Sequence, residues 1–254
     1  MSAVAATAPR VLVVAGLDPS GGAGLVADLE AVAAAGARGW AVAAALTAQG
    51  RRGARGFEPV SEVMLLAQID ALLDGDRPRA VKTGMLGTAA LARVLASRLA
   101  APPLRRVPLV VDPVLAASSG ARLFDPGGLS VGEAYLPILT RAWLATPNLP
   151  ELALLTGDDV STDAAAVRAA RRLPARAVLV KGGHREGAPV DLLVQDGRVT
   201  RFGGRRRPGT ARGTGCRLTS AIAAFLAGGV TLEDAVRRGK ALVGRYLDAQ
   251  LRGT

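Results

Sequence analysis

The sequence predicts an α/β protein with a mostly parallel central sheet and helices on both of its faces. Three observations carry this reading. Short uninterrupted runs of Val, Leu and Ala alternate with longer segments whose apolar residues recur at helical spacing. The runs do not alternate polar and apolar, as expected for strands buried on both faces. The alternation persists for most of the chain before a single Asp-Gly hairpin signal and two last helices.

Val11–Ala15 is a continuous apolar run closed by Gly16, and it reads as the first strand. Leu25–Ala35 follows as a helix and Ala41–Leu46 as a second strand. Ser61–Leu73 is helical with Ser61 as its N-cap. Ala80–Thr83 is a short strand, Ala89–Leu99 a helix, and Leu109–Val111 a strand that runs into Asp112-Pro113. Leu129–Leu139 is helical, and Pro137 is expected to kink or end it. Ala142–Thr146 is a strand, Pro150–Thr156 and Ala164–Leu173 are helices, and Ala177–Val180 is a strand ending at Lys181-Gly182-Gly183. Asp191–Gln195 and Arg198–Phe202 flank Asp196-Gly197 as a hairpin. Thr214–Ala227 and Thr231–Leu247 are helices, the second opened by Thr231 and Asp234 in the manner of a capping box. Residues 1–9 read as a tail and 10–254 as one domain, with no linker, repeat or composition shift.

Composition narrows the function classes. Aromatics are 3% of the chain, so the core rests on Ala, Val and Leu. One cysteine, Cys216, excludes an intrachain disulfide and any zinc site needing several cysteines. One histidine, His184, argues against Ser-His-Asp catalysis and a His-rich metal centre. The net charge of +11 is carried by arginine, since Lys82, Lys181 and Lys240 are the only lysines. Two readings fit this charge: a basic nucleic-acid-binding module, or a composition that favours Ala, Arg and Gly throughout. Scattered arginines with few interleaved aromatics favour the second. Met1 to Pro9 lacks the basic start of a secretory signal, and Ala31 to Ala48 is broken by Gly36, Arg38 and Gly39. A cytoplasmic enzyme with no membrane or nucleic-acid partner is the expectation.

Ligands of such sheets sit beyond the carboxyl ends of the strands. Gly16-Leu-Asp-Pro-Ser-Gly-Gly-Ala-Gly24 lies between the first strand and its helix, where glycines admit a ligand and a helix N-terminus favours anions. Gly22-Ala-Gly24-Leu-Val-Ala27 matches the dinucleotide fingerprint only in spacing: five residues separate it from the strand, and no acid closes the second strand. Arg212-Gly-Thr-Gly-Cys216 opens a second such helix, within a stretch from Gly197 to Leu232 holding seven arginines and no acid. Gly213, Thr214, Gly215 and Cys216 would aim free N–H groups at one point, an anion hole suited to phosphate. Cys216 reads either as a small buried apolar residue or as a thiol whose pKa the helix end lowers. Asp112 and Glu151 stand at or just past strand ends. Each fits an Mg²⁺ site, and Glu151 equally fits a first-turn residue that complements the helix dipole.

Seven segments occur in order: Ala15–Gly24, Ala45-Leu-Thr-Ala-Gln49, Val81-Lys-Thr-Gly-Met-Leu-Gly87, Val111-Asp-Pro-Val114, Thr146-Pro-Asn-Leu-Pro-Glu151, Lys181-Gly-Gly-His184 and Gly213-Thr-Gly-Cys216. Over roughly residues 10 to 250 the chain resembles the hydroxymethylpyrimidine/phosphomethylpyrimidine kinases of thiamine biosynthesis, in the ribokinase-like superfamily. The resemblance implies a three-layer α/β/α sandwich. It implies ATP- and Mg²⁺-dependent phosphorylation of 4-amino-5-hydroxymethyl-2-methylpyrimidine and its monophosphate, by a homodimer. It puts Gly16, Asp28, Gln49, Met85 and Val114 in the pyrimidine pocket. It puts Asn148, Lys181 and Val243 on the nucleotide, Asp112 and Glu151 on the metal, and Cys216 at the base position behind the Gly213–Gly215 hole. Pyridoxal/pyridoxine kinases of the same superfamily are the nearest alternative. Arg212, Arg217 and Gly50 stand where the family often has His, Thr and Asn. The two arginines are expected to grip the phosphate of the monophosphate substrate, or Arg217 to face solvent.

Overall fold

The computed structural model describes residues 8–50, 53–117, 119–183, 189–207 and 212–252. In chain order the elements are β1 (Arg10–Leu17), α1 (Gly24–Ala34), β2 (Arg38–Gly50), β3 (Gly53–Pro59), α2 (Glu62–Leu72), β4 (Ala80–Thr83), β5 (Gly87–Thr88) and α3 (Ala89–Ala100). There follow β6 (Leu109–Val111), β7 (Phe124–Asp125), α4 (Val131–Arg141), β8 (Leu144–Ala145), α5 (Leu149–Thr156), α6 (Asp163–Ala170), β9 (Ala177–Val180), β10 (Val190–Gln195), β11 (Arg198–Gly203), α7 (Thr214–Ala227) and α8 (Leu232–Arg252).

The strands form a nine-stranded sheet ordered β11-β10-β9-β8-β6-β4-β1-β2-β3, and β5 and β7 pair apart from it. From β2 to β9 every neighbour is parallel; β3, β10 and β11 are antiparallel additions at the two edges. The apolar runs are uninterrupted because successive side chains serve two cores. Leu12 and Val14 face one core, beneath α2 to α6, while Val11, Val13 and Ala15 face the other, beneath α1, α7 and α8. Helices therefore cover both faces, as the three-layer expectation requires.

Three expectations change. Pro137 neither ends nor breaks α4. A capping box between Ser130 and Glu133 secures its first turn, and Pro137 is exposed, so water can satisfy the carbonyl it leaves unpaired. The strand expected over Ala142–Thr146 narrows to Leu144–Ala145, and α6 stops at Ala170. The strands β3, β5 and β7 have no apolar pattern: β3 reads Gly-Ala-Arg-Gly-Phe-Glu-Pro and survives as an edge strand, where one face needs no core.

The chain leaves β1 in one direction to β2 and β3, then returns to β4 on the other side. Beyond the carboxyl ends of β1 and β4, at this reversal, lies a cavity of about 1060 Å³. No helix among the described residues is long and apolar enough to cross a membrane.

Candidate active site

All the site residues named from the sequence line this one cavity: Gly16, Asp28, Gln49, Met85 and Val114 at one end, Asp112, Asn148, Glu151 and Lys181 in the middle, and Val243 along α8. Gly213, Thr214, Gly215 and Cys216 open onto it from the start of α7. His184 lies outside the described residues.

The apolar end is built by close approach. A Cβ on Gly16 would stand 2.8 Å from Met85 Sδ, so the methionine seats there against a bare backbone and would have to shift to admit a side chain. Val114 packs on Ala45, Met85 and Leu123 to form a small apolar wall. The β2–β3 ladder shifts register beside Gln49, where Arg55 of β3 is the extra residue of a bulge, and Gln49 lines the cavity.

At the N-terminus of α7, Gly213 takes φ +69, and a Cβ there would lie 2.3 Å from the Gly22 carbonyl. No side chain among the described residues caps this helix. No acceptor among the described residues takes the N–H groups of Thr214, Gly215 or Cys216, so three donors and the positive helix end face the cavity. Lys181 stands beside them: its Nζ would be 3.4 Å from a Cβ on Gly215.

Only three of the chain's 32 basic side chains are lysines, and all three line the cavity. Each pairs with a buried aspartate: Lys82 with Asp28 at 2.7 Å, Lys181 with Asp112 at 2.6 Å, and Lys240 with Asp191. A compact ammonium with rotatable donors suits such confined positions better than a planar guanidinium. Burial raises the Asp28 pKa, with Lys82 opposing it. For Lys82 burial acts downward, but Asp28, Cys216 and Asp112 outweigh it and hold the ammonium charged. Asp28 has both oxygens engaged, one by Lys82 and the other by the Ser220 hydroxyl at 2.7 Å. It is the floor of the pocket and holds Lys82.

Around Lys181, Asp112 is bound through Oδ1, and Glu151 Oε2 lies 3.7 Å from Nζ. Asn148 and Glu151 form a capping box that starts α5, each accepting the other's backbone N–H at 2.8 and 2.7 Å. Glu151 thus fills its helix-start role at the cavity wall. Burial, reinforced by Asp112 and opposed by Lys181, pushes its carboxyl up to about 7.

Cys216 departs from expectation. Burial pushes its thiol up to about 11; Lys82 and the Gly24 N–H pull it down, and Asp28 and Asp112 add to the rise. The helix end does not by itself make this a low-pKa thiol. The arginine expectation also changes. Arg217 faces neither phosphate nor solvent: it is 4% exposed, pairs with Glu30 at 2.6 Å and stacks 4.1 Å over Tyr246.

The sequence profile of phosphomethylpyrimidine kinase matches residues 18–253. The chain belongs to this family. It is 42% identical over 248 residues to the thiamine biosynthesis bifunctional protein of Geobacter sulfurreducens, covering 95% of this chain and 49% of that protein. The chain thus spans about half the length of that relative. It is 41% identical to the hydroxymethylpyrimidine/phosphomethylpyrimidine kinase of Streptomyces coelicolor, over 93% of this chain and 88% of that one. Among solved structures, the phosphomethylpyrimidine kinase of Clostridium difficile superposes with a TM-score of 0.79 at 32% identity, over 94% and 99% of the two chains. The pyridoxal kinase of Staphylococcus aureus in complex with AMP-PCP superposes with a TM-score of 0.81 at 27% identity, over 94% and 87%.

Within this family member, Lys82, Lys240 and Asp18 were not singled out from the sequence. For the lysines a signal was present: in a chain that otherwise uses arginine, the positions that keep lysine mark one cavity.

Proposed function

We propose that this chain transfers the γ-phosphoryl group of ATP to the hydroxymethyl oxygen of 4-amino-5-hydroxymethyl-2-methylpyrimidine, and then phosphorylates the resulting monophosphate. The observation that carries the reading is the meeting of an uncapped helix start, a cysteine and two buried ammonium groups at one point of a cavity.

Gln49 would read the ring, since its amide can both donate and accept against a ring nitrogen and an exocyclic amine. Gly16, Met85 and Val114 would hold the ring flat. The Thr214–Cys216 N–H groups and Lys181 would take the charge that spreads over the transferred oxygens. Phosphoryl transfer asks for this positioning more than for covalent work. The substrate oxygen forms its bond to phosphorus, the bond to ADP breaks, and the hydroxyl proton passes to Cys216 Sγ. Lys82, held by Asp28, favours the thiolate that receives it.

Asp112 and Glu151 suit Mg²⁺, a hard cation that uses one or two carboxylates and completes its shell with water and phosphate oxygens. Lys181 engages one oxygen of each and leaves Asp112 Oδ2 and Glu151 Oε1 for that purpose. Bound Mg²⁺ would neutralise the β- and γ-phosphates. Lys240 and Val243 would line the nucleotide arm.

Residues 10–254 would act as one domain, in a homodimer in the cytoplasm. A second reading, pyridoxine phosphorylation, draws on the likeness to the Staphylococcus aureus pyridoxal kinase. A substrate panel with ATP and Mg²⁺ decides: the pyrimidine alcohol and its monophosphate are expected to turn over faster than pyridoxine. A reversed order overturns the proposal. Light scattering giving only the single-chain mass would overturn the dimer.

A further inference from the structure

Two arginines bond to the Asp18–Gly24 loop. Arg212 donates to Asp18 Oδ2 at 2.9 Å, to Ser20 Oγ at 3.2 Å and to the Gly50 carbonyl at 2.8 Å. Arg217 donates to the Gly22 carbonyl at 3.2 Å while its other nitrogen is tied to Glu30 of α1. Arg212 immediately precedes the Gly213–Cys216 segment, and Arg217 immediately follows it.

The loop needs such restraint. It carries three glycines, two of them at positive φ, Gly21 at +70 and Gly24 at +60. Glycine-rich segments lose the most freedom on being fixed. The contacts leave no slack either: a Cβ on Gly213 would stand 2.9 Å from Arg217, and one on Gly22 3.3 Å from Arg212. The far end of the loop matters to the site, because the Gly24 N–H faces the Cys216 thiol.

We propose that Arg212 and Arg217 are positioning residues: they clamp the Asp18–Gly24 loop onto the start of α7, so that Gly24 and the Gly213–Cys216 donors hold one arrangement before any ligand enters. Arg212 also ties the end of β2, one residue from Gln49, to the same clamp. The two ends of the cavity are thereby coupled through one guanidinium. The catalytic consequence rests on the function proposed above; the clamp itself does not.

The test uses Arg212, which is partly exposed and whose loss spares the core, with Arg212→Gln and Arg212→Lys. Hydrogen exchange is read at Ser20, Gly21 and Ala23, whose amides bond within the loop to Asp18. In Arg212→Gln these amides are expected to exchange ~10-fold faster or more, while those of β4 and β6 stay unchanged. Turnover of the pyrimidine alcohol at saturating ATP is expected to fall ~10–100-fold with KM within a few-fold, and Arg212→Lys to recover part of both effects. Wild-type exchange in Arg212→Gln overturns the clamp. Fast exchange with wild-type turnover overturns its catalytic role. A wild-type protein that leaves the alcohol untouched defeats the functional reading, while the exchange result still decides the clamp.

Discussion

Two helices in this molecule begin after a glycine-rich segment without a side-chain cap: α1 after Asp18–Ala23, and α7 after Arg212–Gly213. By sequence both are anion sites of the same kind. The structure separates them. Just ahead of α1 the protein places its own anion: Asp18, 2% exposed, accepts from the loop amide of Ser20 at 2.9 Å and from the N-cap amide of Ala23 at 3.1 Å, and pairs with Arg212. At α7 no carboxylate among the described residues does this, and Lys181 adds positive charge. A carboxylate placed beside a helix start offsets its positive end, and a helix start without one leaves that charge for a ligand. The first loop is scaffold and the second is receptor.

The largest effect expected of this contrast is at Cys216, in the receptor. Cys216→Ala should lower turnover ~10²–10⁴-fold, the range for a lost proton acceptor, with a melting temperature close to wild type. More than half the activity remaining would remove the thiol from the chemistry. Because burial holds the thiol near 11, wild-type turnover should also rise with pH across the neutral range. A flat profile would point to a different proton acceptor.

Next comes a matched pair of glycines. Gly213→Ala puts a Cβ 2.3 Å from the Gly22 carbonyl at φ +69, whereas at Gly21 the nearest atom is Val26 Cγ1 at 3.4 Å, at φ +70. The backbone strain is alike and the role differs. Gly213→Ala should cost turnover ~10²–10³-fold, the scale for a damaged oxyanion-type hole, and Gly21→Ala less, no more than the ~10–100-fold expected of releasing the loop at Arg212. Equal losses would erase the distinction between the loops.

Asp18 sharpens the contrast from the stability side. Asp18→Ala removes the acceptor of the Ser20 and Ala23 N–H groups and the carboxylate partner of Arg212, a cost of about 1–3 kcal/mol. Thermal melts should register this, whereas Thr214→Ala, on a residue whose side chain caps nothing, should leave the melting temperature nearly unchanged.

Much of this was legible before the structure. The parallel core was readable because buried strands leave continuous apolar runs, and Ala80–Thr83 and Leu109–Val111 keep the bounds read from sequence. The edge strands β3, β5 and β7 were not, since pairing at an edge leaves little side-chain pattern. The cavity residues were legible as motifs, but their partners were not. Nothing in one dimension tells that Asp18 meets Arg212, 194 positions away, or that Arg217 turns inward to Glu30. The Cys216 thiol left two readings open for the same reason: the helix end is a local feature, whereas the Asp28, Asp112 and Lys82 around it come from α1, the end of β6 and β4.

The smallest effect concerns Glu151, where receptor and scaffold coincide in one side chain. It caps α5 and lines the cavity, and its carboxyl titrates near 7 in the fold against an ordinary value of 4.5. The folded state therefore holds this proton more tightly than the unfolded chain does. The group's contribution is fully present below about 4.5 and is lost as pH rises through 7, by on the order of 1–3 kcal/mol. Surface carboxylates with lowered pKa, such as Glu133 and Asp248, act in the opposite sense, so total stability hides the effect. A difference isolates it. Glu151→Gln keeps an oxygen to accept the Asn148 N–H and removes the buried charge. Melting temperatures of the two proteins without nucleotide or metal should converge at pH 5. The variant should gain on wild type as pH rises to 8, while its turnover falls and its Mg²⁺ requirement increases. A gap that stays constant from pH 5 to 8 would mean that Lys181 keeps the carboxylate ionised throughout, and that the cap and the metal site impose no conflict on this residue.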